Sequence, residues 1–205
     1  MRVSKQKAAQ NRERILTSAA RLFRERGIAA TGVDSITEDA GLTHGGLYSQ
    51  FGSKEAIAAE AIRFALGRGM RIWQRAVQRN PGKNALPEIV GNYLSRAHRD
   101  TPGTGCVVAA LGTDIARQPR RVREAFTRQL QDDFEFLSRL MSGAKPADRY
   151  EDAIAAFSSM IGALILARAV SDDVFSDLIL KSAAKRVIKR AKVRAPRHAR
   201  TQGES

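Results

Sequence analysis

Residues capable of covalent or metal chemistry are few in this 205-residue chain, and they lie far apart. A single cysteine, Cys106, excludes an intramolecular disulfide framework and a cysteine-rich zinc site. The histidines His44, His98 and His198 lack the close spacing of metal ligands. We find no nucleophile–base constellation and no phosphate-cradling glycine loop. The sequence therefore predicts neither an enzyme, nor a metal site, nor a bound cofactor.

Binding chemistry is instead concentrated in a short segment that is expected to be helical at 43–51. Gly45 and Gly46 stand near the start of that helix, where each costs about 1 kcal/mol of helix propensity. This cost is unexpected for a purely structural helix, but glycines would let the backbone approach a partner closely. Free N–H groups at that end can hold a phosphate. The Tyr48 hydroxyl could reach another phosphate, and Lys54 adds positive charge.

The distribution of charge indicates a polyanionic partner. The net charge is +14. Residues 1–79 carry 14 basic and 7 acidic groups, residues 80–180 carry 12 and 13, and residues 181–205 carry 9 and 1. A near-neutral body thus lies between two cationic ends, which attract polyanions through counterion release and long-range attraction. Nucleic acid is the favoured partner, although a membrane surface or plain solubility would also account for such ends.

Helical periodicity predicts the elements that position these residues. Ile15, Ala19, Leu22 and Phe23 form one apolar stripe, and Gly27 is placed to end that helix. The same period predicts eight further helices, at about 33–40, 43–51, 53–79, 84–99, 105–117, 119–142, 147–170 and 172–193. Strand alternation is not evident, so the expected fold class is all-α with about nine helices. Thr43 and Ser53 are predicted to cap the helices that follow them, since a hydroxyl can accept from a free first-turn N–H.

We expect three parts: a helix-turn-helix domain at 1–52, a second helical domain at 53–193, and a basic disordered tail at 194–205. The longest uncharged apolar stretch, 153–167, is too short for a typical membrane span. The N-terminus lacks the apolar region of a signal peptide. These features favour a soluble, cytoplasmic protein.

Residues 15–57, ILTSAARLFRERGIAATGVDSITEDAGLTHGGLYSQFGSKEAI, also follow a recognisable pattern. The positions that fit it are Thr31, Ile36, Ala40-Gly41, Gly45, Leu47-Tyr48, Phe51 and Ser53-Lys54-Glu55. This segment resembles the DNA-binding signature of the tetracycline-repressor (TetR) family of bacterial transcription regulators. The resemblance implies an all-α homodimer that binds a palindromic double-stranded DNA operator as a repressor and is released by a small-molecule effector.

The same resemblance implies which residues contact DNA: Thr43, His44, Gly45, Gly46, Tyr48, Ser49 and Lys54. His44 stands where lysine is common in the family, which weakens one contact or makes it pH-sensitive. Gly46 stands where a small residue with a side chain is usual, which removes one contact. Gln50 could read adenine if it faces the groove, or it could point along the backbone.

The second domain is expected to hold the effector and to form the dimer. Gly105-Cys106 and residues 162–184 are similar to ligand-binding domains in one branch of the family. Candidate effector-binding residues, each of which could equally be plain core, are Trp73, Tyr93, Cys106, Phe126, Phe134 and Met160, with Met70 and Phe157 in the same set. The helices at 147–170 and 172–193 are apolar enough to predict a four-helix dimer interface that includes Leu164.

Two further interpretations stay open. Cys106 begins an apolar helix, whose N-terminus would make its thiol more acidic and suited to sensing oxidants or electrophiles; otherwise it is a small buried residue. The run from Lys181 to Arg200 has nine basic residues and no acidic one. It is a solvated helix face, an auxiliary arm that binds nucleic acid without sequence preference, or a membrane-surface segment. Arg168, within an apolar stretch, is expected to find an acidic or carbonyl partner.

Overall fold

The computed structural model of the chain describes residues 5–80, 85–143 and 145–193. Within these residues the chain forms ten α-helices and one short 3₁₀ helix, and no strand. The α-helices are α1 (Lys5–Arg26), α2 (Val33–Asp39), α3 (His44–Phe51), α4 (Lys54–Arg79), α5 (Ala85–Tyr93), α6 (Arg96–Asp100), α7 (Val107–Ala116), α8 (Arg120–Ser138), α9 (Pro146–Ala169) and α10 (Asp173–Val193). The 3₁₀ helix, Pro102–Thr104, lies between α6 and α7. The predicted tail at 194–205 lies outside the described residues.

The all-α prediction is confirmed, and the described part of the chain has one helix more than expected. The sequence predicts a single helix at about 84–99, but the structure contains α5 and α6 there. Ser95 separates them because its backbone is extended (φ −106°, ψ 156°). Its hydroxyl then accepts a hydrogen bond from His98 N at 3.2 Å and caps α6.

Glycines and one serine set the helix boundaries near α3. Gly27 ends α1 with φ +86°, and Gly52 ends α3 with φ +75°, a region of backbone space that favours glycine. The predicted Ser53 cap is confirmed, since its Oγ accepts from Ala56 N at 3.1 Å. Thr43 occupies the N-cap position of α3, but its side chain makes no capping hydrogen bond. The predicted N-cap position is therefore confirmed, but the predicted hydrogen bond of the Thr43 hydroxyl is wrong.

The first hydrophobic core joins the four N-terminal helices. Its fully buried residues include Ile15, Phe23, Ile36, Leu47 and Ile57. α7 and the beginning of α8 pack into the same core. α4 continues from this core into the second one, where it contributes Trp73 and Ala76. The predicted domain boundary at residue 52 therefore does not coincide with a break in packing, and it stays a prediction.

The second core is assembled from α4, α5, α8, α9 and α10, with Phe157 and Met160 of α9 buried inside it. By length and composition alone, α9 is apolar enough to cross a membrane, and 39% of its most apolar window is buried within the protein. α8 and α10 both pack against α9. This packing is what the core helix of a globular protein shows.

An exposed apolar patch remains where α9 ends and α10 begins. We call it the α9–α10 patch; its members are Ile165, Leu166, Val174, Phe175 and Leu178. Leu164, which was expected in a dimer interface, is 0% exposed in its own chain. The prediction for Leu164 is wrong because the helix turns that residue toward the second core. Its neighbours Ile165 and Leu166 face outward instead.

Candidate nucleic-acid interface and regulatory core

α3 is held so that one face packs inward and the other faces solvent. Leu47 and Phe51, four residues apart, are buried, while Tyr48 is 43% exposed. The guanidinium of Arg12 lies over the Phe51 ring, 4.3 Å from its centroid, and Nη1 donates to the Gln50 carbonyl at 3.1 Å. Arg12 also pairs with Glu60 of α4. These contacts fix the end of α3 against α1 and α4, as a helix that presents one face to a groove requires.

The two glycines of α3 are not required by packing inside the chain. A Cβ built at Gly45 would meet nothing within 4 Å. A Cβ at Gly46 would meet only the Thr43 hydroxyl oxygen, at an ordinary 3.5 Å. Neither residue has a positive φ. Larger residues would therefore fit at both positions, and packing within the chain does not explain the glycines. The space beside them is open to a molecule outside the chain.

Polar side chains on and beside α3 already have partners within the protein. His44 Nδ1 lies 2.6 Å from Asp34 Oδ1, and its ring centroid is 5.1 Å from that of Tyr48. Ser49 Oγ donates to the Gly46 carbonyl at 3.0 Å. Lys54 Nζ donates to the Ala29 carbonyl at 3.2 Å. The sequence places Asp34 on an outward face but gives no sign of its pairing with His44, because that contact depends on how α2 crosses α3.

Aromatic side chains from four helices meet around Phe157 in the second core. The ring centroids of Trp73, Tyr93 and Phe134 lie 5.3, 5.7 and 6.0 Å from that of Phe157, each in an edge-on arrangement. We call these four residues the aromatic cluster. Met160 is buried in the same core, and Cys106 packs against it. Phe126, also predicted for the effector site, packs against the first core and does not join this cluster.

Unpaired polar atoms lie beside the aromatic cluster. Among the described residues, only three buried side-chain oxygen or nitrogen atoms lack a hydrogen-bond partner, and two of them are Tyr93 Oη and Asp133 Oδ1. Asp133 is 3% exposed, and burial raises the pKa of its carboxyl to about 7 although the Gln129 side chain donates to it. Burial also raises the pKa of the Tyr93 hydroxyl. Sequence analysis missed Asp133; its place between Leu130 and Leu137 on the apolar face of α8 was the available signal.

The thiol of Cys106 is less acidic than expected. It stands at the N-cap of α7, and the backbone N–H groups of Ala109 and Val108 and the Tyr93 side chain favour its ionised form. Burial outweighs all of these contacts and raises the pKa of the thiol. The prediction of a thiol made more acidic by the helix end is therefore wrong.

His98 and Arg168 hold the segment that leads into α7. His98 Nδ1 donates to the Tyr93 carbonyl at 2.6 Å, and Nε2 accepts from Cys106 N at 2.9 Å. An accepting Nε2 requires a neutral ring, and burial lowers the pKa of His98 accordingly. Arg168 donates to the carbonyls of His98 and Arg99 at 2.8 and 3.0 Å. The predicted carbonyl partner of Arg168 is confirmed.

α7 connects this core to the DNA-binding helices. Its first residues follow Cys106, while Asp114 in its last turn accepts a hydrogen bond from Ile28 N at 3.1 Å, just after α1. A second link runs from Arg24 of α1, whose Nε donates to the Gly103 carbonyl at 2.8 Å. α7 and the segment before it thus contact α1 and its C-terminal end at two points.

These features define a class of protein: a helix-turn-helix regulator in which a helical second domain supports the DNA-binding helices. Residues 15–61 match the family model of bacterial regulatory proteins, tetR family. The match covers 47 of the 205 residues, so the N-terminal segment of the chain is similar to regulators of this family. The family consists of transcriptional regulators and not of enzymes.

Relatives with similar sequences are also helix-turn-helix regulators. An uncharacterized HTH-type transcriptional regulator of Mycobacterium tuberculosis is 28% identical over 176 residues, which cover 82% of this chain and 89% of that protein. The HTH-type transcriptional repressor KstR2 of Mycolicibacterium smegmatis is 42% identical over 55 residues, 27% of each chain.

Solved structures share the fold at low sequence identity. The reduced form of NemR from E. coli has a TM-score of 0.72 at 19% identity, covering 87% of this chain and 95% of NemR. A TetR transcriptional regulator from Legionella pneumophila has a TM-score of 0.74 at 18% identity, covering 94% of this chain and all of that one. At these identities the likeness shows the fold alone.

Proposed function

We propose that the protein is a homodimeric, sequence-specific DNA-binding repressor that leaves a palindromic operator when a small molecule binds its second domain. The observation that carries this proposal is the outward face of α3, which is braced from behind and thinned by two glycines. Residues on or beside that face are the proposed DNA contacts: Thr43, His44, Gly45, Gly46, Tyr48, Ser49 and Lys54. A cytoplasmic location follows from a DNA partner in a bacterial cell.

Docking places α3 in the major groove, with its glycine-bearing N-terminal half closest to the duplex. The Tyr48 hydroxyl donates to a phosphate, and Lys54 exchanges its contact with the Ala29 carbonyl for another phosphate. His44 must leave Asp34, or else keep that carboxylate near the DNA. Phosphate contacts position the helix and supply most of the affinity, whereas base contacts supply the sequence preference.

Dimerisation is proposed through the α9–α10 patch. Exposed leucine, isoleucine, valine and phenylalanine side chains lie together at one end of two long helices, and a second copy related by a two-fold axis would cover them. Such a dimer presents two copies of α3. Their centres must lie about 34–36 Å apart if one helical turn separates the half-sites, or further apart for a longer operator.

Release is proposed to start at the aromatic cluster. A ligand there displaces side chains around Tyr93 and Cys106, and α7 carries the displacement to Ile28 and α1. The ligand can shift the protein away from the DNA-binding state only by its differential affinity for the two states. A sensor based on a Cys106 thiolate is not proposed, because the structure raises the pKa of that thiol.

Selection of bound fragments from random duplex DNA tests the proposal. We expect the purified full-length chain to enrich one sequence with two-fold symmetry. On that sequence, Tyr48→Phe is expected to weaken binding by about thirtyfold, since a hydrogen bond is worth about 1 kcal/mol and each dimer loses two.

Ile72→Ala is the matched control, because Ile72 is exposed on α4, away from α3. It is expected to leave the affinity unchanged. Failure to enrich any sequence, or equal affinities for wild type and Tyr48→Phe, would contradict the docking of α3.

A further inference from the structure

We infer that the effector is a small organic cation, an amine or amidine on an apolar body, whose positive group pairs with Asp133 while its body lies among the rings of the aromatic cluster. This inference rests on the proposed function, and it assigns a chemical class to the molecule that function requires.

Asp133 is the first observation. It is 3% exposed and its Oδ1 has no hydrogen-bond partner. Among the described residues it forms no ion pair, and its sequence neighbour Asp132 raises the pKa of its carboxyl further. A carboxylate in such surroundings is poorly stabilised, because burial removes water and the Gln129 side chain replaces only part of it. A bound cation would supply the missing partner.

Convergence of other polar groups is the second observation. The charge on Asp133 raises the pKa of both Tyr93 and Cys106, so Asp133 lies near these two side chains within the protein. Tyr93 Oη has no oxygen or nitrogen atom as a hydrogen-bond partner. The Cys106 thiol beside it is only a weak hydrogen-bonding group. An ammonium or amidinium group has several N–H donors. One group of this kind can therefore satisfy the Asp133 carboxylate and the Tyr93 oxygen together.

Aromatic rings beside the acid are the third observation. Tyr93 belongs to the aromatic cluster, and Phe134 follows Asp133 directly in α8. Aromatic faces attract cations, and apolar ring area is suited to contact the apolar body of such a ligand. Arg168 interacts with Tyr93 and Cys106 but donates to the carbonyls of His98 and Arg99, so it does not occupy the place of the ligand.

Three probes with one body and different charge test the inference: phenylpropylamine, phenylpropanol and phenylpropanoate. Binding to the full-length protein is followed by the fluorescence of Trp73, which is the only tryptophan in the chain and lies in the aromatic cluster. We expect the amine to bind about tenfold or more tightly than the alcohol, as charge-assisted hydrogen bonds allow. The carboxylate is expected to bind weakest.

Asp133→Asn is expected to remove the preference for the amine. Asp132→Asn, which removes the same charge at an exposed adjacent position, is expected to retain it. Equal binding of amine and alcohol by the wild type, or a preference that survives in Asp133→Asn, overturns the inference. So does the absence of binding by all three probes.

A measurement on the wild type alone covers the case in which Asp133→Asn fails to fold. Because the carboxyl is partly protonated near neutral pH, pairing with a cation must expel a proton. Calorimetry of the amine at pH 7 in two buffers of different ionisation enthalpy should reveal release of a fraction of a proton; none released overturns the inference. DNA binding by the ligand-free protein is measured on the same samples, so failure of this site and failure of the proposed regulator are distinguishable.

Discussion

Removing the buried carboxylate is expected to change how stability depends on pH. In the folded protein the pKa of Asp133 is raised from 3.8 to about 7, so the folded state binds this proton more tightly than the unfolded state does. The resulting stabilisation is complete below pH 3.8 and is lost as the pH rises through 7. Asparagine does not titrate, so the stability of Asp133→Asn does not include this pH-dependent loss.

The magnitude follows from the pKa change. A rise of about three units at about 1.4 kcal/mol per unit gives a total loss of about 4 kcal/mol. As the pH rises to 5, roughly 1–2 kcal/mol of this stability is lost. About 2–3 kcal/mol is then lost between pH 5 and pH 8. Over that interval the stability of Asp133→Asn relative to wild type should therefore rise by about 2–3 kcal/mol.

Urea unfolding at pH 5 and pH 8, followed by circular dichroism at fixed protein concentration, measures this difference. Subtracting the two proteins removes the contributions of all other titrating groups. Asp132→Asn is the control and is expected to follow the wild type, since Asp132 is exposed. Parallel pH profiles for wild type and Asp133→Asn would refute the reasoning, because they would mean that Asp133 titrates as it does in an unfolded chain.

Two other predictions concern the DNA-bound dimer. Lys54→Ala should reduce the slope of log affinity against log salt by about 2, one phosphate per subunit, whereas Lys145→Ala at the start of α9 should not; an unchanged slope would exclude Lys54 as a phosphate contact. Leu166→Glu should convert the dimer to a monomer by light scattering, because it places a charge in the α9–α10 patch, while Ile72→Glu should remain dimeric; a dimeric Leu166→Glu would argue for another interface.

Local patterns were sufficient for the N-terminal helices. The stripe beginning at Ile15 predicted the buried face of α1, and the DNA contact predicted for Tyr48 requires the outward-facing side chain that the structure shows. Gly27 and Ser53 were correctly predicted to bound helices. Each of these signals spans only a few residues, within reach of helical periodicity and capping.

Long-range packing decided the rest. Phe126 and Phe134 both lie on α8, yet they enter different cores because α8 passes from one to the other. Periodicity also could not show that Leu164 faces its own core, since α9 is apolar almost all round. Periodicity also could not predict the pairing of His44 with Asp34, because that contact depends on how α2 crosses α3.

The sequence by itself predicted an all-helical protein and singled out α3 as the proposed DNA-reading helix, because helix period, glycine placement and charge are local properties of the chain. Only the tertiary structure decided that Asp133 is buried near Tyr93 and Cys106 with one carboxyl oxygen unpaired. Its solvation depends on helices far apart in sequence that close around it, and burial, not residue type, sets the pKa of such a group.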